Sequence, residues 1–428
     1  MKHILLNNES KILLIMKRAC NPFIYNCNIR GRFHTISLKI NTFSHMKYTV
    51  FLLLILFCLS CTKSEEQFYI KDHFLNYEIQ EVPVDRDYLV GVFYEYSVSS
   101  YGDKRYKDMF GKTPILGEYK NILNNSSISS GLVVDTHLEW MNKAKIDFVI
   151  LNIRSGSTAA SSFRSDTAYI NRIFSSPNLK DIKIAFAYDY GGLGLGSTVP
   201  SPNDSSMIIE YKTNALNNYI KDYTDYMALY FDHPNYMKVD NKSLIFLKNA
   251  YRLWAKNNSE VTRLVKEKLK SQGKEIFLVG QQEKWSPPQR YEHRLHNAVD
   301  AIYHDNFLGI ATNDLTRLYQ FHQVTDQNWK YSKKMFNDWG IQYIPNIGPS
   351  YNSNLNSGNA ISPYYNPYFE KDPSFFEKYC NVGKSNADKN RIVIIESWNV
   401  WRYDLQIEPA EEYGETYLDI IRNQFKVK

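Results

Sequence analysis

The sequence contains little cysteine, and this scarcity excludes several kinds of site. Of its five cysteines, only Cys380 follows Cys61. A lone thiol in that part of the chain excludes an internal disulfide there and a metal site built on thiolates. His137, His233 and His304 are too far apart in the sequence to give the spacing of a metal site. There is also no Ser-His-Asp or Cys-His pattern and no cofactor motif, so we expect neither metal nor cofactor.

A basic patch and a phosphate-binding motif are also missing. The 51 Lys and Arg residues exceed the 45 Asp and Glu residues by six. Residues 1–45 alone hold seven basic residues and one acid, which accounts for the whole excess. The rest of the chain is balanced, so nucleic acid is not an expected partner. The glycine-rich run Gly191–Asn203 has neither the lysine of a phosphate loop nor dinucleotide spacing, and we interpret it as a rim loop.

Residues 46–60 predict export. They combine Lys47 with an apolar run at 50–59, which is too short to span a bilayer, directly before Cys61. This arrangement resembles a bacterial lipoprotein signal, in which Cys61 becomes lipidated and forms the mature N-terminus. We therefore expect a protein anchored by lipid in the bacterial cell envelope, at the outer membrane or the cell surface.

The N-terminal region also sets the predicted domain boundaries. Residues 1–45 precede a second plausible start at Met46, and we interpret them as an extension from a mis-called start codon. Residues 61–85 are polar and predict a linker after the lipidated cysteine. Residues 86–428 remain, which is enough for one large domain.

Within residues 86–428, strand patterns alternate with helical patterns. This alternation predicts an α/β fold, a single (β/α)8 (TIM) barrel with long loops at the C-terminal face. Active sites of such barrels lie on the loops that follow the strands. The eight predicted strands are 88–94, 148–153, 182–188, 243–247, 276–280, 301–303, 342–347 and 392–395.

The segment Arg391–Arg422 contains the most specific pattern. After the buried-strand run at 392–395 it reads ESWNVWRYDLQIEP. It resembles the closing unit of the family 99 glycoside hydrolases (endo-acting α-mannanases) and of related family 71/99-like and WbsX-like proteins. Further motifs similar to that family span about Tyr88 to Arg422. The positions that match the family pattern without a gap are Ser397, Trp398, Asn399, Trp401, Asp404, Ile407, Glu408 and Pro409.

This register implies that both catalytic glutamates of the family are replaced, by Val400 and Tyr403. In the family, one glutamate assists attack by the sugar's own 2-hydroxyl and the other protonates the leaving group. Valine carries no proton, and tyrosine, with an ordinary pKa near 10, is a poor acid–base at neutral pH. The resemblance therefore implies a protein that recognises α-mannan or a related polysaccharide and lacks the family's catalytic pair.

An active glycoside hydrolase with relocated carboxylates is the alternative. Glu396 shares a strand face with Val400, and Asp404 and Glu283 are further candidates for the acid and base. Acids at the mouth of a barrel also pair with basic residues, which would leave a site that only binds. Other acids at strand ends are Glu95 and Asp189, and the available bases are Arg154, Lys248 and Arg402.

Aromatic and amide side chains at strand ends suit a sugar ligand. Aromatic faces pack against C–H patches of sugars, and polar groups bind hydroxyls. Among these residues, the family register favours Trp398 and Trp401. Glu408, which precedes Pro409, we interpret as a structural residue at the start of a helix. The predicted ligand-binding residues are Tyr94, Asn152, Tyr188, Gln281, Tyr303, Asn346, Trp398, Asn399 and Trp401.

Overall fold

The computed structural model describes residues 75, 77–96, 111–119, 121–123, 132–155, 160–195, 207–283, 292–311, 319–357 and 367–428. The predicted signal at 46–60, the predicted lipidation site Cys61 and the extension at 1–45 lie outside these residues. Within the described ranges, no helix combines the length and the apolar character that crossing a membrane requires.

The core of the fold is one parallel sheet. Its members are β1 (Leu89–Tyr94), β2 (Phe148–Arg154), β3 (Lys183–Asp189), β5 (Lys242–Leu247), β6 (Ile276–Gln282), β7 (Ala301–His304), β8 (Gln342–Tyr343), β9 (Asn346–Ile347) and β10 (Ile392–Ile395). A two-residue strand, β4 (Lys238–Val239), pairs antiparallel with β5.

Helices separate most of the strands along the chain. They are α1 (Leu132–Lys143), α2 (Ala160–Phe174), α3 (Ala215–Lys221), α4 (Asn258–Lys270), α5 (Phe307–Ala311), α6 (Phe321–Asn337), α7 (Pro373–Asn386) and α8 (Thr416–Phe425). The starts of α4 and α7 are fixed by caps, because Asn257 and Asp372 accept hydrogen bonds from free backbone N–H groups of the first turn.

The sheet curls so that its two edges meet at one chain segment. The strand order is β8-β7-β6-β5-β3-β2-β1-β10-β9, and only Ile344 and Pro345 separate β8 from β9. The hydrogen bonds between neighbouring strands continue across these two residues. Ile344 N–H donates to Ile302 O at 2.9 Å, and Ile394 N–H donates to Pro345 O at 2.8 Å. The predicted α/β class, with parallel strands and helical crossovers, is confirmed.

Side chains alternate between two apolar layers along each strand, as the pleat requires. In β1, Val90, Val92 and Tyr94 pack in the large outer layer between sheet and helices, whereas Phe93 packs against the inner layer. Gly91 also faces inward, where a Cβ atom would lie 2.3 Å from the ring of Phe148. The absence of a side chain at Gly91 therefore makes room for that ring.

The N-terminal part of the domain is attached to two helices. Tyr77 Oη donates to Asp326 Oδ2 of α6 at 2.9 Å. Val82 N–H donates to Asn381 Oδ1 of α7 at 2.9 Å, and Lys384 Nζ donates to Val82 O at 2.7 Å. Polar side chains of α6 and α7 therefore bind the chain from residue 77 onward, within the segment that the sequence analysis predicts as a linker.

Candidate functional site

A cavity of about 180 Å³ lies where the strands end at their carboxyl ends. Most of its wall comes from residues directly at the ends of β1, β2, β5, β6, β7 and β10, and the rest comes from the loop after β10. The lining residues are Phe93, Glu95, Asn152, Lys248, Gln281, Tyr303, Asp305, Glu396, Ser397, Val400, Arg402, Tyr403 and Leu405.

Glu95 is a carboxylate of this cavity whose pKa is displaced. Burial raises the pKa of Glu95 above its ordinary value, and the charges of Arg402 and Lys248 oppose that rise. The guanidinium of Arg402 lies 3.6 Å from Glu95 Oε1. A raised pKa favours the protonated form of a carboxyl group, which is the form that a hydrogen-bond donor or a general acid requires.

Two further carboxylates, Asp305 and Glu396, line the same cavity. Gln281 Nε2 donates to Asp305 Oδ1 at 3.0 Å, and Asn346 Nδ2 donates to Glu396 Oε2. Burial raises the pKa of Tyr303, and the negative charges of Asp305 and Glu396 raise it further. Both carboxylates therefore lie near the Tyr303 ring, on the inner face of the sheet.

The two positions that the family register assigns to catalytic glutamates are both on the cavity wall. Val400 contributes an aliphatic surface there. The ring of Tyr403 stacks on Tyr351 with centroids 5.6 Å apart and planes at 17°. The guanidinium carbon of Arg402 lies 5.3 Å from the centroid of the Tyr403 ring. The wall thus presents an aliphatic surface at position 400 and an aromatic ring at position 403, with the guanidinium of Arg402 beside that ring.

Two of the predicted relocated acids do not reach the cavity. Asp404 is buried and forms ion pairs with Lys112 at 2.9 Å and Lys371 at 3.4 Å. Glu283 is exposed and is not among the lining residues. Asp189 caps the 3₁₀ turn that follows β3, where it accepts from Gly191 N–H at 2.9 Å. Among the acids that the sequence suggested, only Glu396 and Glu95 line the cavity.

The predicted ligand-binding residues divide into two groups. Asn152, Gln281 and Tyr303 line the cavity, and Asn346 lies behind them against Glu396. Four aromatic residues of the prediction pack instead in the outer apolar layer, with no more than 2% of their surface exposed. These are Tyr94, Tyr188, Trp398 and Trp401.

Asn399 connects the loop after β10 to β1. Its Oδ1 accepts from Glu95 N–H at 3.0 Å, and its Nδ2 donates to Glu95 O at 2.7 Å. The side chain is fully buried, so both ends of its amide serve the backbone rather than a ligand. Asn399 therefore holds the backbone of Glu95 in place.

Glu408 is the centre of a buried hydrogen-bond network. Its Oε1 lies 2.9 Å from His137 Nε2, and Tyr94 Oη lies 2.8 Å from the other ring nitrogen of His137. Its Oε2 accepts from Tyr119 Oη at 2.5 Å and from Trp401 Nε1 at 2.8 Å. Glu408 therefore joins α1, the segment after β1 and the loop that lines the cavity.

Asp305 is the cavity residue whose role the sequence analysis missed. It follows Tyr303 by two residues, so strand alternation places both side chains on the same face. Within the described ranges, no three His, Cys, Asp or Glu side chains are placed to hold a metal ion.

A second cavity, of about 360 Å³, lies at the other end of the strands, where the charged face of α4 meets Lys242 and Ile276. It contains none of the predicted site residues.

Comparisons with known proteins support a glycoside-hydrolase-like fold. A family model described as glycosyltransferase WbsX matches residues 201–421. A solved structure titled glycoside hydrolase-like protein is 27% identical, with a TM-score of 0.69 over 84% of this chain and 99% of that one. The family 99 endo-α-mannosidase of Bacteroides thetaiotaomicron is 16% identical, with a TM-score of 0.52 over 79% of this chain and 96% of that one. No curated protein matches the sequence.

Replacing Glu408 should destabilise the fold. In Glu408→Ala, the donor groups of Tyr119 and Trp401 lose their buried acceptor, so we expect the free energy of unfolding to fall by about 3–5 kcal/mol. Urea denaturation measures this change. Glu411→Ala, an exposed glutamate of the same segment, is the matched control and should change stability by less than about 0.5 kcal/mol. Equal effects of the two substitutions would contradict the role of the network.

Lys371 should make stability depend on pH. Burial lowers the pKa of Lys371 to about 8, although Asp404 opposes that shift. The folded protein therefore releases this proton at a lower pH than the unfolded chain, whose lysine titrates near pH 10.4, so stability rises with pH between these values. From pH 8 to 10.4, wild type should gain about 3 kcal/mol of unfolding free energy relative to Lys371→Met.

Denaturation curves across that pH range test this prediction. Lys334→Met, which replaces an exposed lysine of α6, should give a pH profile parallel to that of wild type. A Lys371→Met profile that is also parallel to wild type would show that burial does not perturb this amine.

Proposed function

This chain belongs to the WbsX family, whose model is described as a glycosyltransferase, and on that basis we propose that it binds a polysaccharide in the cavity at the carboxyl ends of its strands. In this proposal the protein recognises the sugar chain without the catalytic pair of family 99 glycoside hydrolases. The fold is glycoside-hydrolase-like. Recognition can persist without those glutamates because it depends on many contacts, whereas cleavage depends on two groups.

The observation that carries this proposal is the position of Val400 and Tyr403. Both residues line the cavity, and they are the positions at which the family resemblance expects the two catalytic carboxylates. Tyr403 supplies an aromatic face for the C–H side of a sugar ring. Lys248 and Arg402 supply donors for sugar oxygens, as a pocket with a few polar groups requires.

The size of the cavity favours a short part of a longer chain. Pockets for drug-sized ligands measure about 300–1,000 Å³. A cavity of about 180 Å³ is smaller and suits one or two sugar units, with the rest of the polymer extending over the rim. We propose α-mannan as the ligand because the fold is similar to that of the Bacteroides thetaiotaomicron endo-α-mannosidase.

We extend the proposal to the architecture and to the location of the protein. If β8 and β9 are the two halves of one strand interrupted at Pro345, the parallel sheet has eight strand positions, as in a (β/α)8 barrel. The sequence before the domain supports a lipid anchor at Cys61 in the bacterial cell envelope, where polysaccharide is accessible. Detection of diacylglycerol on Cys61 by mass spectrometry would test the anchor.

One observation favours hydrolysis as a second candidate function. Glu95 and Glu396 line the same cavity, and burial raises the pKa of Glu95. Protonated Glu95 would give its proton to the glycosidic oxygen, while Glu396 would take a proton from the water that attacks the anomeric carbon. The products would be two shorter saccharides. This pair replaces the pairs with Asp404 or Glu283 that the sequence suggested.

Removal of the aromatic face at Tyr403 should weaken sugar binding. We expect Tyr403→Ala to raise the Kd for α-mannan oligosaccharides at least about tenfold, or about 1.4 kcal/mol, while Tyr403→Phe stays near wild type. Isothermal titration calorimetry measures both, with Tyr331→Ala as the control, because Tyr331 is an exposed tyrosine on α6. Equal affinities for Tyr403→Ala and wild type would refute the proposed platform.

The two functions differ in the products they predict. Purified wild-type protein incubated with α-mannan should leave the length distribution of the polymer unchanged, as judged by chromatography of labelled ends. Hydrolysis would instead give shorter chains, and Glu95→Gln or Glu396→Gln would stop their formation. A β-linked mannan serves as the control polymer, since neither function predicts that it is bound or shortened.

A further inference from the structure

The 3₁₀ turn Trp401–Tyr403 carries two cavity side chains, Arg402 and Tyr403, and it ends at Asp404. The backbone of Asp404 has φ 57° and ψ 25°, in the left-handed region. Few residues other than glycine adopt this conformation, although Asp and Asn do so more readily than most. The direction in which the chain leaves the turn is therefore set at Asp404.

Three separate segments bind Asp404. Its Oδ2 lies 2.9 Å from Lys112 Nζ, in the segment after β1, and its Oδ1 lies 3.4 Å from Lys371 Nζ, in the segment before α7. Its carbonyl oxygen accepts from Lys371 Nζ at 2.7 Å and from the hydroxyl of Ser350, after β9. The carboxylate is 5% exposed, so these protein groups surround it and a ligand in the cavity cannot reach it.

On the other side of the turn, Arg402 faces Glu95. The 3.6 Å contact joins the loop after β10 to the end of β1 across the cavity wall. Tyr403 O accepts from Asn352 N–H at 2.8 Å, so the position of the turn also depends on the chain after β9. A displacement of the turn would change the Arg402–Glu95 separation directly, because one residue lies between Arg402 and Asp404.

We propose that Asp404, Lys112, Lys371 and Ser350 form a clamp that fixes the turn Trp401–Tyr403 so that Arg402 faces Glu95 in the cavity. In this assignment Asp404 is a positioning residue and not an acid or base of the site. The ligand never touches the clamp, yet the clamp sets the charge of a group that lines the cavity.

The chemical consequence concerns the proton on Glu95. Burial raises the pKa of this carboxyl, and Arg402 is the strongest of the charges that lower it. Without Arg402 at its present distance, the pKa of Glu95 rises further and more of it is protonated at neutral pH. A protonated Glu95 can donate a hydrogen bond to a sugar oxygen, whereas the carboxylate only accepts. This last point rests on the proposed function, but the effect on Glu95 does not.

Titration of Glu95 in the full chain tests the clamp without any ligand. The measurement is ¹³C NMR of labelled glutamate carboxyls, with Glu95 assigned by its absence in Glu95→Gln. Arg402→Met should raise the pKa of Glu95, and Asp404→Asn should raise it in the same direction. Asn tolerates the left-handed backbone. Removal of the negative charge of Asp404 would by itself lower the pKa of Glu95, so an upward shift reports displacement of the turn.

Ser350→Ala is the second variant, because it removes a hydrogen bond to Asp404 without changing any charge. It should shift the pKa of Glu95 upward by less than Asp404→Asn does. Suppose that Arg402→Met raises the pKa of Glu95, but that Asp404→Asn and Ser350→Ala leave it at or below the wild-type value. The clamp then does not position the turn. If Arg402→Met has no effect, Arg402 does not act on Glu95 and the inference also fails. Failure of every glycan to bind would overturn the proposed function and leave these titrations intact.

Discussion

The two-residue alternation of side chains around a curled sheet is the constraint on which the cavity depends. The inner apolar layer contains Phe93, Ile150, Phe246, Val279, Tyr303 and Ile394. Two residues after each of these stands a polar side chain that lines the cavity, namely Glu95, Asn152, Lys248, Gln281, Asp305 and Glu396. The polar groups of the site therefore continue the inward-facing positions of the apolar core toward and beyond the carboxyl ends of the strands. A shift of one residue in any strand would exchange the two faces and remove its contribution.

The loop after β10 completes the site because buried polar residues hold it in place. Glu408 accepts from Trp401, Asn399 binds the backbone of Glu95, and Asp404 is bound by Lys112 and Lys371. None of these interactions uses the residues at positions 400 and 403. The buried contacts that hold the loop therefore do not require a carboxylate at position 400 or 403. The residues that hold the cavity wall in place are therefore different from those at the two positions where the family has its catalytic groups.

Strand positions and the inward direction of Glu396 could be predicted from the sequence, because both follow from local pattern. The same alternation, applied strictly, places Tyr94 with Val90 and Val92, and Tyr188 with Ile184 and Phe186, in the outer layer. Trp398 escaped such reasoning because β10 ends at Ile395 and the chain then turns, where Ser397 Oγ accepts from two backbone N–H groups. The ion pair that buries Asp404 could not be predicted from the sequence, because its partner Lys112 lies 292 residues away. Ion pairs between distant segments leave no periodic signal.

The central claim is that this cavity binds a sugar chain and does not cleave it. A crystal structure determined after prolonged soaking with an α-linked mannose tetrasaccharide tests it most directly. The account predicts an uncut saccharide in the cavity, with one ring against Tyr403 and an oxygen within hydrogen-bond distance of Arg402. A saccharide bound elsewhere, such as beside α4, or a shortened product in the cavity would contradict it.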